Sequence, residues 1–124
     1  MEIRSYKDLA VWQRAMDLTF HVYQVSGSLP SDERFGLISQ LRRAAVSVPT
    51  NIAEGRQRSS TKDFLRFLSI AAGSLAELET LIELAGRLYQ LQTFQVNELA
   101  SEADEVGKML RALQQRLEAK LPSP

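Results

Sequence analysis

The chain has 124 residues, 44% of them hydrophobic and 24% charged, with no cysteine and a formal net charge of zero. This length and balance fit one soluble domain that buries its own core, and they exclude disulfides, thiolate zinc sites and thiol chemistry. The opening MEIRSYKDLAVW has no apolar signal-peptide run, and no window approaches the roughly 18 consecutive apolar residues of a membrane helix, so a cytoplasmic protein with no membrane partner is expected.

The first helix is expected over about residues 8–25. Leu9, Trp12, Met16, Thr19 and Tyr23 form one seam at spacings of three and four; Val11, Ala15, Leu18, Val22 and Val25 form a second. The loop SGSLP ends it. The second helix is expected over about residues 32–57. Ser31 is its expected cap, Asp32 and Glu33 suit its first turn, and Leu29 or Pro30 can staple onto Phe35. Pro49 lies inside this helix, where it removes one backbone hydrogen bond and clashes with the carbonyl of Ala45. The apolar stripe Leu41, Ala45, Val48, Ile52 runs on through it, so a single kinked helix is preferred to a break capped at Ser47.

Gly55 is expected to end this helix in a left-handed conformation, and Ser60 or Thr61 to cap the third, over about residues 61–89. Its seam is Phe64, Leu68, Ala71, Leu75, Leu78, Ile82, Ala85 and Tyr89, widened by Phe67, Leu81, Leu84 and Leu88. Gly73 sits in mid-helix, where glycine costs about 1 kcal/mol relative to alanine, and a close helix or subunit approach would explain it. The fourth helix, about residues 94–120 with Thr93 as cap, has the seam Val96, Leu99, Ala103, Val106, Leu110, Leu113 and Leu117.

Four amphipathic helices with short connections read as one all-α domain over residues 1–124, an up-down-up-down bundle. A lone bundle needs one stripe per helix, so the surplus apolar faces of the first and third helices argue for a homo-oligomer.

Net zero charge conceals blocks. Residues 34–66 carry seven basic and two acidic side chains, net +5, and residues 67–105 carry one basic and seven acidic, net −6. The basic cluster Arg42, Arg43, Arg56, Arg58, Lys62 and Arg66 has two readings: phosphate contact with RNA or DNA, or pairing with the acids of the third and fourth helices. A polar stripe, Gln40, Arg43, Ser47, Asn51, Glu54 and Arg58, runs along one face of the second helix. It reads as a recognition surface or pore lining, or as an inter-subunit network that fixes register, the preferred reading. Glu54 and Arg58 are spaced for an i, i+4 ion pair.

The segments DLAVWQRAMDLTFHVY, LPSDERFGLISQLRRAAVSVPTNIAEG and FLRFLSIAAGSLAELET resemble the small bacterial four-helix bundle proteins first noticed as products of intervening sequences in 23S ribosomal RNA genes. That family is similar in fold to the accessory protein of diversity-generating retroelements, a basic pentameric bundle that works with a reverse transcriptase and nucleic acid. The resemblance implies a left-handed bundle and a ring-like homo-oligomer, most simply a pentamer. It marks Gln40, Arg43, Ser47, Pro49, Asn51, Glu54 and Gly55, then Gly73, Ser74 and Glu77, as the family's characteristic residues. It brings no reaction with it. The retroelement relative is strongly basic, whereas this chain is neutral.

No catalytic residue, metal site or cofactor is expected. His21 is the sole histidine, without a recognisable activating partner, and cannot supply the paired Glu-x-x-His motifs of a di-iron bundle. The expectation is a non-enzymatic oligomeric scaffold with RNA or DNA as a candidate partner. The alternative is a module that docks an unidentified protein and has no nucleic-acid role.

Overall fold

The computed structural model describes residues 5–89 and 93–122. They form four helices: α1 (Ala10–Ser26), α2 (Leu37–Arg56), α3 (Thr61–Tyr89) and α4 (Thr93–Glu118). Short 3-10 turns, Tyr6–Asp8 and Ser31–Glu33, precede α1 and α2. The described residues contain no strand, and the fold is an all-α four-helix bundle. The Thr93 cap expected for α4 rests on a side chain outside the described set.

Contacts between neighbouring helices run in opposite chain directions, as in an up-and-down arrangement. Thr19 meets Ala45, and Tyr23 meets Arg42; Ser47 meets Ser74, and Glu33 meets Tyr89. His21 meets Glu102, while Arg14 meets Glu105.

The core takes one seam from each helix. On α1 it is the second seam, Val11, Ala15, Leu18 and Val22, that is buried. On the first seam Leu9 is buried and Trp12 half-buried, but Met16 and Tyr23 are exposed. On α3 the whole stretch Leu68, Ala71, Leu75, Leu78, Ile82 and Ala85 is buried, and Phe67 and Leu81 join it. Leu84 and Leu88 stay outside, 43% and 57% exposed. On α4, Leu99, Ala103, Val106, Leu110, Leu113 and Leu117 close the core.

α2 continues through Pro49, which is buried. Proline at this position deprives the Ala45 carbonyl of its i+4 donor. The hydroxyl of Thr19 on α1 lies 3.1 Å from that carbonyl and 2.8 Å from the carbonyl of Ala15, so one O–H is shared between an ordinary i−4 contact and the acceptor that Pro49 orphans. A neighbouring helix thus supplies what the proline removes.

Three local expectations are corrected. The second helix starts at Leu37, not near Asp32: residues 31–33 form a 3-10 turn, and the Glu33 carboxylate accepts from the Leu37 N–H at 3.1 Å, capping α2 in place of Ser31. The staple does not form, because Leu29 enters the core alone and Phe35 stands 89% exposed. Gly55 is not a left-handed cap; it lies inside α2, buried against α3. A methyl group there would come within 2.8 Å of Phe67 Cβ and 2.9 Å of Phe64 Cδ1, so the glycine permits a close helix crossing. Ser60 is the α3 cap, its hydroxyl accepting from the Asp63 N–H at 3.1 Å.

Candidate functional site

The polar stripe of α2 divides into a tied centre and exposed flanks. At the centre, Ser47 Oγ and Ser74 Oγ lie 2.7 Å apart across α2 and α3. Asn51 Nδ2 donates to the Ser47 carbonyl at 2.8 Å and to Ser47 Oγ at 3.0 Å. Asn51, Ser47 and Ser74 are half-buried and form one hydrogen-bonded chain. Gln40, Arg43, Glu54 and Arg58 are exposed. Among the described residues no ion pair joins Glu54 to Arg58; the Arg58 guanidinium sits 4.6 Å above the Phe67 ring instead. Glu77 and Gly73 flank Ser74 on the exposed side of α3. A methyl group at Gly73 would meet nothing within 4 Å, so packing inside the chain gives no reason for the glycine.

An open groove of about 710 Å³ runs from the stripe's own Arg43, Ser47 and Asn51 toward α1. Its walls are Tyr23, Phe35, Ile38 and Val46, with Arg34, Arg42 and Arg43 and no carboxylate among the lining residues. Arg42 is held in place: its Nε donates to Ser26 Oγ at 2.9 Å, Nη2 donates to the Tyr23 carbonyl at 3.2 Å, and the guanidinium lies 4.5 Å from the Tyr23 ring centre. It is a clasp between α1 and α2. Ser26, only 1% exposed, donates to the Tyr23 carbonyl and accepts from Arg42, so no polar atom is stranded there.

The six basic residues do not form one patch. Arg42 and Arg43 lie on the groove, whereas Arg56, Arg58, Lys62 and Arg66 gather at the α2–α3 turn, about 20 Å further along the helix at 1.5 Å per residue. At the turn, Arg58 and Arg66 stack on Phe67 at 4.6 and 4.8 Å, Arg66 also pairs with Asp63 at 3.7 Å, and Lys62 is exposed. Apart from Asp63, the acids that pair on α3 and α4 choose other cations: Glu83 takes Arg87, Glu102 takes His21, Asp104 takes Lys108 and Glu105 takes Arg14.

The opposite end of the bundle is aromatic. Tyr23, Phe35, Leu88 and Phe94 are exposed there. Tyr89 reaches from the end of α3 to donate its hydroxyl hydrogen to the Glu33 carboxylate. That bond, helped by the Leu37 N–H, holds Glu33 below the usual carboxylate range; the same bond, then desolvation and the acid's charge, raises Tyr89 above the usual phenol value. His21 Nδ1 lies 2.8 Å from Glu102 Oε2 and ties α1 to α4. Among the described residues no three His, Cys, Asp or Glu side chains gather as metal ligands, and no helix is long and apolar enough to cross a membrane.

The groove was missed by reasoning from the sequence, since Tyr23 and Val46 belong to different helices. The one available signal was Phe35, a large apolar residue in a polar connection.

The comparisons agree with this picture of the fold. No curated protein matches the chain. A crystal structure of a protein with unknown function, from the S23 ribosomal protein family of Bacteroides thetaiotaomicron VPI-5482, matches with a TM-score of 0.78 and 24% sequence identity. The match covers 85% of this chain and 98% of that one, and at this identity it speaks for the fold alone. A family model described as 23S rRNA-intervening sequence protein matches residues 7–112. The four helices and this near full-length match place the chain in the 23S rRNA-intervening sequence protein family.

Proposed function

We propose that the chain is a non-enzymatic cytoplasmic scaffold that works as a homo-oligomer, most simply a pentamer. The observation that carries this reading is the placement of its surplus apolar side chains. Met16, Phe20 and Tyr23 on α1, Val46 on α2, and Ile70, Leu84 and Leu88 on α3 all face outward. Soluble monomers rarely expose contiguous apolar surface beyond a few hundred Å². Gly73 supports the same reading, because a mid-helix glycine facing open space makes sense where another backbone comes close. Light scattering at micromolar concentration should return a mass several times the 13.9 kDa chain, with five copies expected. A mass equal to the single chain overturns the reading.

RNA or DNA binding is the second reading, and the observation favouring it is the α2–α3 turn. Arg58, Lys62 and Arg66 gather there, two of them stacked on Phe67. Such contacts act by counterion release, so binding should be tolerant of sequence and fall steeply with salt. Replacing Arg56, Arg58 and Lys62 with alanine should flatten the salt dependence. Filter binding that detects neither RNA nor DNA at low salt removes this reading and leaves a scaffold that docks protein.

A further inference from the structure

The groove between α1 and α2 is long as well as apolar. Phe35, Ile38, Arg42, Val46 and Thr50 line it at spacings of three and four, so one face of α2 and of the turn before it forms the floor. From Ile38 to Asn51 that face runs about 20 Å, or about four helical turns. Tyr23 stands opposite as the α1 wall. Small-molecule sites enclose most of their ligand, whereas a long open trough of this kind accepts a helix laid lengthwise.

Charge selects the kind of helix. Three arginines line the groove and no carboxylate does; Asp32 and Glu33 precede Arg34 in sequence, but neither is on the wall. Arg34 and Arg43 are exposed and have no hydrogen-bond or ion-pair partner among the described residues. Arg42 is fixed through Nε and Nη2 by Ser26 and Tyr23, which leaves Nη1 unspent and the guanidinium already oriented. Ser47 and Asn51 are bonded to each other, and the Thr50 hydroxyl donates to the Val46 carbonyl at 2.7 Å, so these polar groups ask little of a ligand. What remains unsatisfied is guanidinium, and its planar fork suits carboxylates. We propose that the groove receives an acidic amphipathic helix of a partner protein, its apolar side chains on Phe35, Ile38 and Val46 and its carboxylates on Arg34, Arg42 and Arg43. Ile38 and Val46 are about 12 Å apart along α2, the rise between positions i and i+8 of a helix lying beside it. Nucleic acid fits less well, because its bases stack on flat rings and the floor beside the arginines is aliphatic at Ile38 and Val46. The proposal does not rest on the oligomeric reading. Of the exposed apolar residues that support that reading, only Tyr23 and Val46 line the groove.

The probe is a fluorescently labelled synthetic helix of about 15 residues, with leucines at i, i+4 and i+8 and glutamates on both flanks of that stripe, titrated with the full chain by anisotropy. Two controls are a scrambled peptide of the same composition and a peptide with lysine in place of every glutamate. The acidic helix should bind saturably and both controls at least about tenfold more weakly. Arg43→Glu should weaken the acidic helix by about tenfold and strengthen the lysine peptide, a reversal that altered folding would not produce. Arg111→Glu, exposed on α4 and outside the groove, should change neither affinity. Circular dichroism should show equal helical content in both variants. The proposal is overturned if the acidic helix does not bind, if its scrambled form binds equally, or if Arg43→Glu leaves its affinity unchanged. Absent peptide binding, a particle mass altered by Arg43→Glu assigns the groove to a second copy, and an Arg43-dependent single-stranded oligonucleotide assigns it to nucleic acid. A wild-type chain that is single by light scattering fails the oligomeric reading and leaves this result standing.

Discussion

Thr19 is the side chain that allows α2 to contain Pro49, and this can be measured. Thr19→Val keeps the shape and removes the hydroxyl. The Ala15 carbonyl keeps its ordinary helical donor, the N–H of residue 19. The Ala45 carbonyl keeps nothing in place of the N–H that Pro49 lacks, and Ala45 is only 1% exposed. Leaving such an acceptor unpaired costs about 1–3 kcal/mol, and the added methyl group offsets a part of this. The expected loss is about 1–2 kcal/mol. Pro49→Ala restores the missing N–H, so in that background Thr19→Val should cost close to nothing. A double-mutant cycle by urea denaturation, followed by circular dichroism, isolates the coupling and cancels the lost Thr19–Ala15 bond. Protein concentration must be equal across the four proteins, because self-association adds a mass-action contribution. A coupling below roughly 0.3 kcal/mol would refute the account of how the proline is tolerated.

Gly73→Ala should stabilise the dilute single chain by about 1 kcal/mol, since the new methyl meets nothing, and should weaken assembly; stabilisation with undiminished assembly would take Gly73 out of the contact. Asn51→Ala removes two donor contacts to Ser47 and should cost about 0.5–1.5 kcal/mol, whereas exposed Glu54→Ala should change stability by less than about 0.5; equal effects in thermal melts would contradict the division of the stripe. Tyr89→Phe should raise the Glu33 titration midpoint in a carboxylate-resolved NMR titration, and an unmoved midpoint would mean the bond is absent in solution. The depressed Glu33 value makes the bond's contribution complete above the ordinary carboxylate value of 4.5 and lost as pH falls through the folded value. The raised Tyr89 value makes it complete below the ordinary phenol value of 10.0 and lost as pH rises through the folded value.

Periodicity carried most of the fold. The continuing stripe Leu41, Ala45, Val48, Ile52 was enough to read one helix through Pro49, and the α3 and α4 seams are the buried ones. What periodicity cannot supply is rotation about the helix axis. Both α1 seams have the same spacing; cross-helix contacts from Thr19 to Ala45 and from His21 to Glu102 turn Val11, Ala15, Leu18 and Val22 inward and leave Met16 outside. The start of α2 was misread for a local reason: Ser31, Asp32 and Glu33 have cap chemistry, but they form a separate 3-10 turn from which Glu33 accepts the Leu37 N–H, rather than the first turn of the helix. Gly55 was misread because its constraint comes from Phe64 and Phe67, nine and twelve residues on in sequence and in contact only after folding. The basic residues were legible as composition; their division into a groove pair and a turn cluster follows from helix rise, which charge counting ignores.

The separation of the cationic turn from the aromatic end has a consequence for any assembly of aligned copies. Rotation about an axis parallel to the helices never exchanges their ends. A ring built this way is a two-faced disc: one rim repeats Arg58, Lys62 and Arg66, the other repeats Phe35 and Phe94. A polyanion and an apolar protein segment could then occupy the same particle at once without competing. Because each rim repeats its side chains once per copy, a ligand too weak for one chain gains from simultaneous engagement of several. Discs of this kind also have a sense of direction when stacked, since aromatic rims attract one another while cationic rims repel.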